Sequence, residues 1–150
     1  MSLDSISIRT ATIEDIPSIF TLVKELAIYE KAEHEVYVDV AYYKEAFTNG
    51  IFDSIVATIN GDIIGICIYY TTFSTWKGKM LYLEDFVVRE AYRQNGVGQL
   101  LYNELVSIAK AEGFKLMKWQ VLDWNEPAIK FYEKNEATIE KEWWNCKLVF

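Results

Sequence analysis

Three segments of the sequence hold residue types at spacings that can support chemistry. The first is Arg93-Gln94-Asn95-Gly96-Val97-Gly98, which follows an apolar run of strand character and opens an amphipathic helix. Its glycines remove side chains, so the main chain can come close to a ligand. The first N–H groups of a helix lack intrahelical acceptors, and the helix dipole favours an anion beside them. With the charge of Arg93 this describes a seat for a pyrophosphate. It describes equally well a tight strand-to-helix turn. The second segment is Glu84-Asp85 inside Leu81-Tyr82-Leu83-Glu84-Asp85-Phe86-Val87-Val88. Regular alternation puts Tyr82, Phe86 and Val88 on one face and Leu83 and Val87 on the other, the pattern of a central strand covered on both sides. The two carboxylates then fall on opposite faces. A carboxylate in such a strand is costly unless it is paired or faces a cleft. The pair therefore marks an opening in the sheet, with a functional role for Glu84, in preference to a strand end emerging into solvent. The third segment is Trp124-Asn125-Glu126-Pro127-Ala128-Ile129-Lys130-Phe131-Tyr132-Glu133-Lys134. Asn125 can cap a helix here, Pro127 fits its first turn, and Ile129 and Tyr132 share a face. A helical tyrosine is most often core packing, so Tyr132 matters only in combination with the other two segments.

Other chemistries lack their residues. A Walker loop is absent, and a Rossmann fingerprint needs a small residue at position 101, which is Leu. His34-Glu35 starts like a zinc-protease helix, but position 38 is Val. His34 is the only histidine and no Gly-x-Ser-x-Gly elbow accompanies it, so a serine or cysteine hydrolase site is not expected. One His and two distant Cys do not make a usual zinc site, so no metal is expected.

The elements that must position these residues form a chain of 150 residues with 51% hydrophobic and 25% charged residues, as expected of one domain spanning 1–150. Fifteen Lys and Arg against 22 Asp and Glu leave a formal charge of −7, which argues against nucleic acid as a partner. It permits a cationic one. Aromatic residues make up 15%, enough to line a cleft or a subunit interface as well as a core. Cys67 and Cys146 sit in apolar runs and read as buried free thiols in a reducing compartment. The start, Met1-Ser2-Leu3-Asp4, lacks the basic and apolar regions of a signal peptide, and no apolar run is long enough to span a membrane. A soluble, cytoplasmic protein is expected.

Along the chain, 5–9 reads as a short strand. A capping-box-like Thr12…Asp15 then starts a helix with apolar residues at Ile16, Ile19, Phe20, Val23 and Leu26. Asp39 caps a shorter helix closed by Asn49-Gly50. Asn60-Gly61 between two β-branched runs predicts a hairpin of 54–59 with 63–73. Strands at 81–88 and 115–122, helices at 96–111 and 126–134, and a last strand at 147–150 complete the order β-α-α-β-β-β-α-β-α-β. The expected fold class is α/β (α+β), a mixed sheet with helices on both faces.

Taken together, the three segments resemble the GNAT acetyltransferase superfamily, with its Arg/Gln-x-x-Gly-x-Gly/Ala turn and its Asn-x-x-Ala-x-x-Phe-Tyr-x-Lys helix. Lys24-Glu25-Leu26-Ala27-x-Tyr29-Glu30, Trp76-x-Gly78-Lys79-x-Leu81 through Val88, and Trp124-Asn125-Glu126-Pro127 are similar to the diamine branch, the spermidine/spermine and thialysine N-acetyltransferases. The resemblance runs from about Ile6 to Leu148. It implies a GNAT fold with splayed central strands and acetyl-CoA as cosubstrate. The pantetheine would pair with Phe86, Val87 and Val88, and the pyrophosphate would rest on Arg93, Gln94, Asn95, Gly96, Val97, Gly98 and Gln99. Asn125, Pro127 and Ala128 would contact the other wall of the cofactor. It implies catalysis by Glu84, taking the ammonium proton, and Tyr132, protonating the leaving sulfur, in a direct attack within a ternary complex. Tyr29, Glu30, Trp76, Glu84, Asp85 and Glu142 would shape a site for a small cationic amine, and the enzyme would be a homodimer. After the last helix, Asn135 is expected in the left-handed conformation, because position 136 is Glu where the family has Gly. Acetylation of a protein amine and acyl-CoA binding without turnover are the alternative functions.

Overall fold

The computed structural model describes residues 2–150, and Met1 lies outside the described residues. The main chain divides into two compact units, one running to Trp119 and one from Gln120 to Phe150.

The first unit is built on a five-stranded sheet in the order β1 (Ile6–Thr10), β2 (Asp53–Ile59), β3 (Asp62–Ser74), β4 (Gly78–Val88), β5 (Leu116–Lys118). The first four pair antiparallel, and β5 joins β4 in parallel. The β2–β3 hairpin turns at Asn60 and Gly61, with φ of 51° and 84°. Two consecutive positive φ values are the geometry that Asn-Gly favours, and they match the twist of the strands. Three helices cover this sheet, α1 (Ile16–Tyr29), α2 (Val40–Thr48) and α3 (Val97–Ala111). Asp15 stands at the start of α1, where it accepts the Thr12 N–H at 2.8 Å. Asp39 caps α2 by accepting the Tyr42 N–H at 2.9 Å.

The helices lie on both faces, as expected. Val97, Leu101, Leu105 and Ala109 of α3 pack on Ile55, Ile64, Cys67, Tyr69, Leu81 and Leu83. On the opposite face Ile16, Ile19, Leu22 and Val23 of α1 pack on Val56, Ile66, Ile68 and Val87. Gly65 lets α3 come close. A Cβ there would lie 2.9 Å from Leu101 Cδ1 and 3.3 Å from the Val87 carbonyl.

β4 does not alternate as the sequence suggests. Ile68 pairs with Asp85 and Tyr69 with Leu83, so Glu84 is an extra residue bulged out of the ladder. Leu81 and Leu83 face α3, and after the bulge Phe86 and Val88 face it, while Val87 turns to α1. One inserted residue reverses the parity of everything beyond it.

β5 is also shorter than 115–122, because its pairing with β4 covers only Met80–Tyr82 against Leu116–Lys118. Among the described residues, the β4–β5 ladder therefore ends at Tyr82, while Leu83 and Asp85–Val88 pair with β3.

The second unit contains α4 (Glu126–Lys134), capped by Asn125 Oδ1, which accepts the Ala128 N–H at 3.4 Å. The left-handed residue after α4 is Glu136 (φ 65°), not Asn135 (φ −91°), and the Ala137 N–H closes the turn on the Tyr132 carbonyl at 3.0 Å. The strand expected at 147–150 does not form, and no helix or strand follows α4. Trp143, Trp144, Leu148, Val149 and Phe150 are exposed. Of the two thiols, Cys67 is buried as expected, whereas Cys146 is exposed. Among the described residues, no helix is long and apolar enough to cross a membrane.

Candidate active site

The bulge decides where the acidic pair sits. Glu84 and Asp85 do not fall on opposite faces. Both line one pocket of about 270 Å³, together with Tyr43 of α2, Phe52, and Ile68 and Tyr70 of β3. The Tyr70 hydroxyl donates to Glu84 Oε2 at 3.0 Å. Its ring stacks on Tyr82 at 5.4 Å between centroids, 24° from parallel, so two neighbouring strands hold the donor in place.

The charges in this pocket are of one sign. Burial, and then the charges of Glu84 and Glu30, push the Asp85 carboxyl up to about 7. Burial also raises Glu30, the residue that ends α1. Tyr43 is pushed up to about 12 by burial, then by Asp85 and Glu84. Burial and Glu84 likewise raise Tyr70, and burial and Glu84 raise Tyr82. Carboxyl groups that resist ionisation and phenols that resist it further describe a negative potential that a bound cation would relieve. Aromatic faces beside carboxylates suit an alkyl ammonium group.

The glycine turn is the second candidate region. Gln94 and Gly96 have φ of 64° and 82°, and the helical ladder of α3 opens with the Leu100 N–H on the Gly96 carbonyl at 3.1 Å. The left-handed φ accounts for Gly96 without any ligand. It does not account for Gly98, where an added Cβ would only touch the Phe86 ring at an ordinary 3.6 Å. Packing within the chain thus does not demand Gly98, whereas close approach of a ligand to the first turn of α3 would. Asn95 Nδ2 donates to the Arg93 carbonyl at 2.9 Å and stiffens the turn. Arg93 Nε donates to the Val88 carbonyl at 2.9 Å, and its guanidinium lies 5.4 Å from the centre of the Tyr29 ring. Its charge is thereby fixed at the end of β4, beside Phe86, Val87 and Val88. Gln94, Val97 and Gln99 belong to the same turn and helix start.

The substrate residues expected from the sequence do not all converge. Glu30 acts on Asp85. Its neighbour Tyr29 lines a different pocket of about 530 Å³ with Glu25, Arg89 and Arg93. Trp76 sits in the β3–β4 turn and is 87% exposed. The ladder from Ser74↔Gly78 to Ile68↔Asp85 separates it from the acidic pocket by about 20 Å at the usual rise per residue. Within one chain Trp76 is therefore not part of that pocket. Tyr132 is buried in the second unit, where Asn125, Pro127 and Ala128 form the start of α4 and Glu142 is exposed. Tyr43 and Tyr70 were not singled out by sequence. Their part depends on register across α2, β3 and β4, and the only local hint is the Tyr69-Tyr70 pair in a β-branched run.

Known proteins resemble this chain in sequence and in fold. The acetyltransferase (GNAT) family matches residues 16–136. A thialysine N-epsilon-acetyltransferase of Bos taurus is 33% identical over 153 residues, covering 94% of this chain and 90% of that one. A human spermidine/spermine N(1)-acetyltransferase-like protein is 33% identical over 145 residues, covering 91% of this chain and 21% of that protein. Among solved structures, an aminoglycoside acetyltransferase from an uncultured soil metagenomic sample superposes with a TM-score of 0.83 over 99% of this chain and 98% of that one. At 17% identity this speaks for the fold. The chain belongs to the acetyltransferase (GNAT) family and is an acetyltransferase enzyme.

Proposed function

We propose that this enzyme transfers an acetyl group from acetyl-CoA to the primary amine of a small cationic molecule, of the polyamine, diamine or thialysine-like class. The observation that carries the reading is the bulge that brings Glu84 and Asp85 into one aromatic-walled pocket. The names of the similar thialysine and spermidine/spermine enzymes point the same way.

The residues fit the donor. β5 pairs with β4 only at Met80–Tyr82, and the pantetheine arm would run beside Phe86, Val87 and Val88 further along β4. The start of α3, with Arg93 fixed beside it and no side chain at Gly98, suits the pyrophosphate. Bound there, acetyl-CoA supplies an acetyl group activated as a thioester.

The side chains have separate tasks. An ammonium ion cannot attack a carbonyl, so the amine must first lose a proton, and Glu84 accepts it directly or through water. Tyr70 holds one Glu84 oxygen and leaves the other for this transfer. Asp85 and Glu30 hold the cation in place. A main-chain N–H near Val88 donates to the carbonyl oxygen as charge develops. Tyr132 Oη returns a proton to the sulfur. No enzyme nucleophile is needed, in keeping with the raised, buried thiol of Cys67.

The two units act as one domain, because the family match crosses the boundary between Trp119 and Gln120. The exposed aromatic tail at 143–150 supports a homodimer, and an exposed free thiol at Cys146 suits the cytoplasm. The test is release of free CoA with acetyl-CoA and a panel of amines and peptides. Saturation by small amines is expected. Turnover with peptides alone, or with nothing, contradicts the reading.

A further inference from the structure

The acidic pocket is lopsided. Glu84 and Asp85 stand together on β4, and Glu30 adds its charge from the end of α1. Among the described residues, the rest of the lining carries no charged side chain. It includes Val38, Ala46, Ile51, Phe52 and Ile68. Part of this wall is rigid, since Tyr43 sits edge-on to Phe52 at 5.8 Å and to Phe20 at 4.9 Å. Part of it is apolar surface that the fold leaves in water, with Val38 37% and Ile51 64% exposed. Set beside two carboxylates in one pocket, this strip suits the stem of a ligand.

We propose that the acceptor bears its ammonium group at one end, on Glu84 and Asp85, and lays an uncharged stem of hydrocarbon, thioether or aryl character along Val38, Ala46, Ile51 and Phe52. The enzyme then selects amphipathic monoamines over short diamines of the same length. This rests on the reading of the pocket as the acceptor site and narrows it. A second ammonium halfway along the wall would meet no carboxylate among the residues that line it. The volume of about 270 Å³ lies just under the roughly 300–1,000 Å³ of drug-sized ligand pockets, which suits a short stem. A longer molecule can extend its far end into water past Ile51.

The experiment is a comparison of kcat/KM for matched acceptors, pentylamine against 1,5-diaminopentane, with phenethylamine and an aminoethyl thioether as further probes. The wild-type enzyme is expected to favour the monoamine by tenfold or more. Val38→Glu and, independently, Ile51→Glu place a carboxylate on the apolar wall at exposed positions that folding tolerates. Each is expected to move the ratio tenfold or more toward the diamine while keeping the wild-type thermal transition. Preference of the wild type for the diamine overturns the inference and leaves acetyl transfer standing. A ratio unmoved in both folded variants, or variants that alter only the oligomeric state, overturns it too. Absence of turnover with every amine overturns the proposed function and this inference with it.

Discussion

Asp15 and Asp85 belong to the same unit, and their carboxyl groups are driven in opposite directions. Asp15 is held down to about 2, chiefly by Arg9, with burial opposing and the Thr12 N–H assisting. Arg9 meets it with two parallel hydrogen bonds of 2.6 and 2.9 Å. Asp85 goes up to about 7, because burial finds no cation and two more carboxylates stand near. The first is a finished interaction that ties β1 to the start of α1. The second stands among like charges, and the proposed amine is the cation that would relieve them. An acidic residue at the edge of a core strengthens the fold in one setting and awaits a substrate in the other, and the difference lies in which charges surround it.

The largest expected effect separates the two regions by function. Glu84→Gln should lower kcat/KM for an amine about 100-fold or more, the usual worth of a positioned base, and leave the thermal midpoint within about 2 °C of wild type. Asp15→Asn should do the reverse, with unchanged turnover and a loss of about 1–2 kcal/mol in urea unfolding at pH 7, the lower figure allowing for screening at the half-exposed Arg9. Because the folded carboxyl lies below its unfolded value, that stabilisation is present above about pH 4 and fades as the pH falls through about 2. Asp85→Asn should act with the opposite sign. Its folded carboxyl lies above the unfolded value, so ionising it costs stability as the pH rises from about 4 through 7. The variant should gain about 3–4 kcal/mol over wild type at pH 8 and little at pH 4, with a raised KM for the amine. The smallest effect sharpens the picture within the pocket. Tyr70→Phe keeps the stack on Tyr82 and removes the hydrogen bond that orients Glu84, so kcat/KM should fall about two- to tenfold, the usual worth of one such bond.

The parts of this account that depend on near neighbours in sequence are legible in it. Asn60-Gly61 announces its hairpin, Thr12 and Asp15 their helix start, Asp39 its cap, and Arg93–Gly98 a turn into a helix. Glu84 stands out as a charge in an apolar strand. What is not legible depends on register. The bulge at Glu84 exists because β4 carries one residue more than β3 between two pairings, and nothing local to Leu83-Glu84-Asp85 encodes that. With the bulge hidden, the shared pocket of the two carboxylates and the part played by Tyr43 and Tyr70 stay hidden too. Lys115–Leu122 has the alternation of a longer strand, but only Leu116–Lys118 finds a ladder, because β4 offers partners only at Met80–Tyr82. The run at 147–150 has strand-forming residues and no strand beside it, so propensity alone does not order it. At the end of α4, chain geometry puts the left-handed residue at Glu136 even though Asn135 tolerates that conformation better.

The most direct test of the central claim, that Glu84 takes the proton of the attacking amine, is the pH dependence of kcat/KM for one primary amine in wild type and Glu84→Gln. A wide gap is expected near pH 6–7, where the amine is protonated, narrowing toward pH 10 as the amine loses its proton unaided. Two profiles that run parallel, or coincide, across that range would contradict it.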